Sequence, residues 1–201
     1  YKKADLPSQS HLWDAMTHPD DVPRLKEVLK AHLEGRASVF QTDHRMRSAT
    51  GEWKWVHGRG KITKRHPDGS PRVISGTIHD ISDRKLLEEK LAHSATHDQL
   101  TGLFNRVSLE ETLGRAIAKA KRGAVSSLLY MDLDNFKNIN DTVGHSAGDE
   151  ALIVLAGLIK DTLRAEDFVF RLGGDEVAVL LDGRTGEESL PAAERLRAAL
   201  K

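Results

Sequence analysis

The chain alternates between helical and strand-like hydrophobic rhythm. After His18-Pro19-Asp20-Asp21, residues Leu25, Val28, Leu29 and Leu33 fall on one helical face. Asp20 or Asp21 is placed to cap this helix, Pro23 is tolerated in its first turn, and Gly35 suits its end. Strand-like runs follow at Val39 to Arg47, Trp53 to Lys64 and Val73 to His79, separated by the turn signals Thr50-Gly51 and Pro67-Asp68-Gly69. They predict a three-stranded antiparallel meander. Trp53 and Trp55 alternate on one strand face, where sheet packing is the expected role rather than cofactor contact. From Asp83 to Ala95 the rhythm is helical: Leu87, Leu91 and Ala95 are spaced by four, with Glu88, Glu89 and Lys90 on the other side. The stretch is short for a coiled coil, so an amphipathic connector and a parallel dimer seam both fit, with the seam favoured by what flanks it.

A second segment starts near His97. Leu109, Leu113, Ile117 and Ala120 predict a helix ending at Gly123, and Val125 to Asp132 reads as a buried strand. Leu152, Leu155, Ala156, Ile159 and Leu163 make a strong helical face. Phe168 to Leu172 and Glu176 to Leu181 are strands joined by Gly173-Gly174, and a last helix is predicted after Pro191. The order helix, strand, helix, strand, strand, helix predicts an α+β sheet with helices packed on it.

Charge and composition narrow the function classes. Lys plus Arg and Asp plus Glu both number 30, so no basic excess marks a nucleic-acid binder. With no cysteine, disulfides, thiolate metal sites and Cys nucleophiles are excluded. No apolar run reaches the roughly 18 residues of a membrane span, and the expected location is the cytoplasm. Tyr1 is not Met, and the helical pattern from Leu190 to Lys201 stops without a terminator. Both ends are read as cuts in a longer protein, with any membrane attachment outside this segment.

The candidate chemistry lies in carboxylates. Asp132 and Asp134 end the strand Leu128 to Asp132; Asp175 and Glu176 follow the two glycines. If strand and hairpin are sheet neighbours, Asp132 and Asp175 converge at one edge, and converging carboxylates repel unless a cation lies between them. Oxygen ligands without His or Cys favour magnesium over zinc, and magnesium on one or two carboxylates completes its shell with phosphate and water. A nucleotide is then the expected partner. Each piece alone is ordinary: an Asp-x-Asp strand end is usually a solvated loop, and Gly-Gly is common turn chemistry. Phe136 and Lys137 exclude an EF-hand, Ile62 excludes a Walker loop after Gly58-Arg59-Gly60-Lys61, and His93 and His97 lack the Glu of a zinc-protease motif.

Together the pieces are far more specific. His97-Asp98-Gln99-Leu100-Thr101-Gly102-Leu103-Phe104-Asn105-Arg106, Asp132-Leu133-Asp134-Asn135-Phe136-Lys137-Asn138-Ile139-Asn140-Asp141, Gly144-His145-Ser146-Ala147-Gly148-Asp149 and Arg171-Leu172-Gly173-Gly174-Asp175-Glu176-Val177 resemble, in order, the motifs of GGDEF-family diguanylate cyclases. The resemblance implies a palm-like nucleotidyl-cyclase domain over 97–201, with its last strands missing. It also implies condensation of two GTP into cyclic di-GMP with release of pyrophosphate, by a homodimer formed through the linker helix and GGDEF domains. Carried over by position, Asp132, the Leu133 carbonyl and Asp175 would hold Mg2+ or Mn2+, and Glu176 is a further metal-site carboxylate. Asp175 is the candidate proton acceptor, and Lys137 would stabilise phosphate charge. Asn140 and Asp149 would read the guanine edge, His145 would position the nucleotide, and Gly173 and Gly174 would let it approach the backbone. Arg164 and Asp167 stand in the register of the family's product-inhibition site, with the alternative of a helix-end salt bridge.

Val177 stands where the family usually has Phe, and altered packing rather than lost chemistry is expected. The segment 1–82 resembles the C-terminal part of a PAS sensor through His18-Pro19-Asp20-Asp21, Gly51-Glu52-Trp53-Lys54-Trp55-Val56, Pro67-Asp68-Gly69 and Asp80-Ile81-Ser82-Asp83-Arg84-Lys85. Its ligand, if any, is open, and 83–96 is the linker. The rival expectation is a non-catalytic module that binds GTP or cyclic di-GMP and regulates a downstream phosphodiesterase domain.

Overall fold

The computed structural model describes residues 15–200. The chain divides into two compact units, 1–89 and 90–201.

In the first unit a 3-10 turn, Pro19–Asp21, leads into α1 (Val22–Leu33). Strands β1 (Phe40–Arg47), β2 (Trp53–Arg65) and β3 (Pro71–Asp80) form an antiparallel meander in that order, as the alternation predicts. Capping differs from expectation. Asp21 occupies the N-cap position of α1 but makes no capping bond with its side chain. Its carboxylate instead takes the Arg45 backbone N–H at 2.8 Å and the guanidinium Nε and Nη2 at 2.9 Å each. The geometry outcompetes a cap because an ionised fork gives two charge-assisted bonds. Those bonds from Arg45, acting against burial, hold the Asp21 carboxyl below its ordinary pKa. On α1, the buried His32 takes the Ile62 N–H on Nε2 at 3.0 Å and meets the Ala37 carbonyl through Nδ1 at 2.8 Å. An N–H can only donate, so Nε2 is the acceptor and the proton sits on Nδ1. That ring ties α1 to β2 where the β2–β3 register slips, at Ile62/Lys64.

Helix α2 (Ser82–Thr96) runs from the first unit into the second, one residue longer at each end than its hydrophobic pattern. Leu86, Leu87 and Leu91 on it are exposed.

The second unit contains α3 (Arg106–Ala120), β4 (Ser126–Met131), α4 (Phe136–Val143), α5 (His145–Thr162), β5 (Phe168–Gly173), β6 (Glu176–Asp182) and α6 (Gly186–Ala199). The sheet order is β4-β6-β5, antiparallel throughout. Central β6 is buried on both faces. Val177, Val179 and Leu181 join Leu152, Leu155, Ile159 and Leu196 in one core; Ala178 and Leu180 join Phe170 and Ala116 in the other. Val177 does point into the packing, at 2% exposure.

Several expectations are corrected. β4 is an edge strand rather than a buried one: Leu128 is 43% and Tyr130 58% exposed on one face, while Leu129 and Met131 on the other pack against the core. Helix α4 was absent from the predicted order. Helix α6 begins at Gly186, ahead of Pro191, which lies inside it. A capping box, with Thr185 and Glu188 each bonding the other's backbone N–H, starts the helix early. The β5–β6 turn is Gly174-Asp175 rather than Gly173-Gly174. Arg171 pairs with Val177 and Gly173 with Glu176, so Leu172 is an extra residue in β5.

Asp21→Asn should cost the first unit about 1–2 kcal/mol at neutral pH, the range for losing charged hydrogen bonds at a partly exposed site. A depressed carboxylate contributes stability above its unfolded pKa, and that contribution disappears as pH falls through the lower folded value. Below pH 3.8 the wild type should therefore approach the variant. All three tryptophans, Trp13, Trp53 and Trp55, belong to the first unit, so urea titrations of the full chain followed by Trp fluorescence check this. Parallel stability curves for both proteins from pH 7 to 3 would contradict it.

Candidate active site

The pairing of β4 with β6 aligns Met131 with Val177. Asp132, the next residue, thus leaves the sheet at the end where the β5–β6 turn lies. Asp132, Leu133 and Asp175 line one cavity with Met131, Leu155, Ile159, Val177 and Leu200. Its volume is about 20 Å³, close to the space one water or small ion takes. The Leu133 carbonyl already accepts the Phe136 N–H at 3.3 Å, which leaves it a second lone pair. Among the described residues no group of three His, Cys, Asp or Glu side chains is gathered for a metal. Two carboxylate-bearing residues and Leu133 thus line it among apolar neighbours, a set that would suit an ion sharing its shell with phosphate if their oxygens face the cavity.

Glu176 is placed differently. It starts β6 on the face of Ala178, whose partner on β4 is Tyr130. The neighbouring Glu176 carboxylate raises the Tyr130 pKa, aided by the charge of Asp132 and opposed by Arg106. Sequence reasoning missed Tyr130. Its signal is the nearness in sequence to Asp132, just past the end of the strand that carries it.

The nucleotide candidates gather at a helical corner. Asp134 is exposed in the link to α4, and Asn135 starts that helix in the left-handed region at φ 63°. Lys137 and Asn140 lie three apart on α4 and share a side of it. Gly144, at φ 99°, separates α4 from α5. His145 and Asp149, four apart, are exposed on the first turns of α5. Gly148 is where the two helices touch: a β-carbon there would overlap Asn140 Oδ1. Asn140, His145 and Asp149 therefore share one corner, joined to Asp132 by a short link.

Arg164 and Asp167 are not brought together as a ligand fork. The Asp167 side chain is fully buried and receives Arg184 Nη2 on both oxygens at 3.0 Å, while the Arg164 backbone N–H bonds it at 3.1 Å. The Arg164 guanidinium is 66% exposed, near Glu166. Recognition of guanine by both side chains requires Arg184 to release Asp167. Nothing local in the sequence marks Arg184 as that partner.

A family profile described as "Diguanylate cyclase, GGDEF domain" matches 95–201, and one described as "PAS fold" matches 1–78. Diguanylate cyclase DgcM of Escherichia coli K12 is 34% identical over 197 residues, 96% of this chain and 46% of that protein. Diguanylate cyclase DosC of the same organism is 43% identical over 119 residues, 59% of this chain and 26% of that protein. The chain thus spans less than half the length of these curated relatives. Among solved structures, the coiled coil and GGDEF domain of Caulobacter crescentus DgcB, in complex with c-di-GMP, matches with TM-score 0.53 and 30% identity, covering 58% of this chain and 61% of that one. Diguanylate cyclase SiaD from Pseudomonas aeruginosa, in complex with its activator SiaC, matches with TM-score 0.52 and 36% identity, covering 59% and 48%. With the signature turn, the carboxylate pair and a profile that matches more than half of its length, the chain belongs to the family of diguanylate cyclase GGDEF-domain proteins, here preceded by a PAS fold.

Proposed function

We propose that the protein containing this chain is a diguanylate cyclase, condensing two GTP into cyclic di-GMP plus pyrophosphate under control of its PAS unit. The observation that carries this reading is the shared cavity of Asp132, Leu133 and Asp175. Those groups would hold a magnesium ion, which would supply positive charge to the triphosphate when bound. The chain's own residues do the rest by placement. Lys137, exposed on α4, offers a mobile ammonium to phosphate oxygens. Asn140 and Asp149 offer an amide and a carboxylate to the guanine edge, and His145 at the same corner steadies the nucleotide. Asp175 accepts the proton of the attacking 3′-hydroxyl, and Glu176 adds negative charge beside it. Positioning and electrostatics account for such a reaction without covalent catalysis.

Two GTP sites must face each other, so a dimer is part of the proposal. Leu86, Leu87 and Leu91 expose apolar surface along α2 and supply its seam. A shift of that helix on signal binding would bring the sites together or apart. The exposed Arg164 is the accessible half of the proposed product-inhibition site.

Full-length protein incubated with GTP and Mg2+ should yield cyclic di-GMP, read by chromatography. Asp175→Ala should remove product formation while the melting temperature stays within a few degrees; product from that variant would remove the metal-site assignment. Gly148→Ala should displace the Asn140 side chain and raise the KM for GTP about 10-fold, as expected when a polar base contact worth roughly 1–1.5 kcal/mol is lost. An unchanged KM would remove Asn140 from the guanine site.

A further inference from the structure

The segment 97–106 has no role in the reading above, yet its hydrogen bonds lead to the signature turn. Arg171 donates from Nε and Nη2 to the Gly174 carbonyl, at 3.0 and 2.8 Å, and from Nη1 to Asp98 Oδ1 at 2.9 Å. The two side chains are only 12% and 25% exposed. The same Asp98 oxygen takes the Thr101 N–H at 2.9 Å and its hydroxyl at 2.7 Å. Burial pushes the Asp98 pKa up, but the bonds from Thr101 and Arg171 outweigh it and hold the carboxyl below its ordinary value. The backbone is anchored as well: Phe104 N–H donates to the Val169 carbonyl at 3.1 Å, and Arg171 N–H to the Phe104 carbonyl at 2.8 Å.

The turn needs such a clamp. Gly173 and Gly174 carry positive φ of 147° and 53°, and glycine offers no side chain to hold a backbone in place. A trans peptide is planar, so fixing the Gly174 carbonyl also fixes the opposite direction of the Asp175 N–H. The other end of the segment grips α2. Asn105 Nδ2 donates to the carbonyls of Ser94 and Ala95, while Asn105 N–H and Ser108 Oγ donate to that of Thr96. These are the last carbonyls of the helix, which lack intrahelical donors.

We infer that Asp98 and Arg171 are positioning residues for the signature turn: Asp98 holds the guanidinium, and the guanidinium sets the peptide joining Gly174 to Asp175, so that the Asp175 carboxylate faces the cavity it shares with Asp132. Because Asn105 and Asp98 belong to one short segment, the end of α2 and the turn are parts of one connected set. The catalytic consequence rests on the cyclase reading; the geometric claim does not.

The test uses Asp98→Asn, Arg171→Gln, Arg171→Lys and the double variant Asp98→Asn/Arg171→Gln. In amide NMR spectra of this chain, each should move the Gly173, Gly174 and Asp175 resonances while leaving those of α6 in place. Mn2+ binding, measured by the loss of free-ion EPR signal, should weaken about 10-fold, the lower end for groups that orient metal ligands. In the full-length protein kcat should fall by a similar factor with the KM for GTP nearly unchanged. Lysine at 171 keeps the charge but cannot fork, so it should not rescue. It also provides the readout if Asp98→Asn fails to fold. The double variant should lose no more than the worse single, since both act through one link. Unmoved turn resonances, unchanged Mn2+ affinity or multiplying losses in the double variant would each overturn the inference. A wild-type protein that makes no cyclic di-GMP would instead overturn the cyclase reading, with the NMR and Mn2+ results still deciding this one.

Discussion

The pairing of β6 with β4 is the constraint on which the second unit depends. A strand buried on both faces cannot slip by one residue without exchanging its two sets of side chains between dissimilar cores. Val177, Val179 and Leu181 meet the helices α5 and α6, whereas Ala178 and Leu180 meet Ala116 of α3 and Phe170 of β5. Alanine on one side and valine on the other are not interchangeable in volume, so the register is held by packing. Asp175 and Glu176 inherit that register because they lead directly into the strand. Asp132 inherits it from the other side, one residue beyond Met131.

A site made this way has a rigid floor and a pliable rim. The floor is strand and core; the rim is a glycine turn, a helix beginning at a left-handed Asn135, and a corner at Gly144. Permissive backbone would let a triphosphate approach on the proposed reading, but it costs entropy to order. The Arg171 bonds to Gly174 are one place where side chains restore the order that the glycines give up. The contact of Gly148 with Asn140 is another, since packing without a β-carbon lets the Asn140 amide sit against α5.

Local pattern made most of the elements legible. Alternation located β1, β2, β3, β5 and β6 within two residues of their ends, and periodicity found α1, α2, α3 and α5. What escaped depends on non-local facts. The apolar run at Leu128 to Asp132 reads as buried, but whether both faces of a strand are covered is not written in it: Leu129 and Met131 pack on the core while Leu128 and Tyr130 stay exposed. Helix α4 hides in the polar run Lys137 to Thr142, since only Phe136 of its residues is buried. Pro191 suggests a helix start, although the capping box at Thr185 and Glu188 is the stronger signal. The metal-site carboxylates could be proposed from motif and turn chemistry. The pairs Arg171–Asp98 and Arg184–Asp167 join residues far apart in sequence, and no local rule selects them.

The carboxylate pair sets how the proposed site must work. Asp132 and Asp175 line one small cavity, and on the proposed reading their converging carboxylates carry a mutual repulsion. A divalent ion relieves it, yet two carboxylates and a shared carbonyl fall well short of the six oxygens magnesium prefers. The missing ligands are the ones a triphosphate carries. On the proposed reading, ion and nucleotide therefore favour each other's binding, and each is held more firmly with the other than alone. The helical corner of Asn140, His145 and Asp149 then selects which triphosphate completes the shell. Specificity is assigned to residues on helices and charge to residues at strand ends, with only the segment 132–135 between them. The exposed, mobile ammonium of Lys137 lies just past that segment, where it can follow charge as it moves along the phosphates without altering either the sheet or the corner.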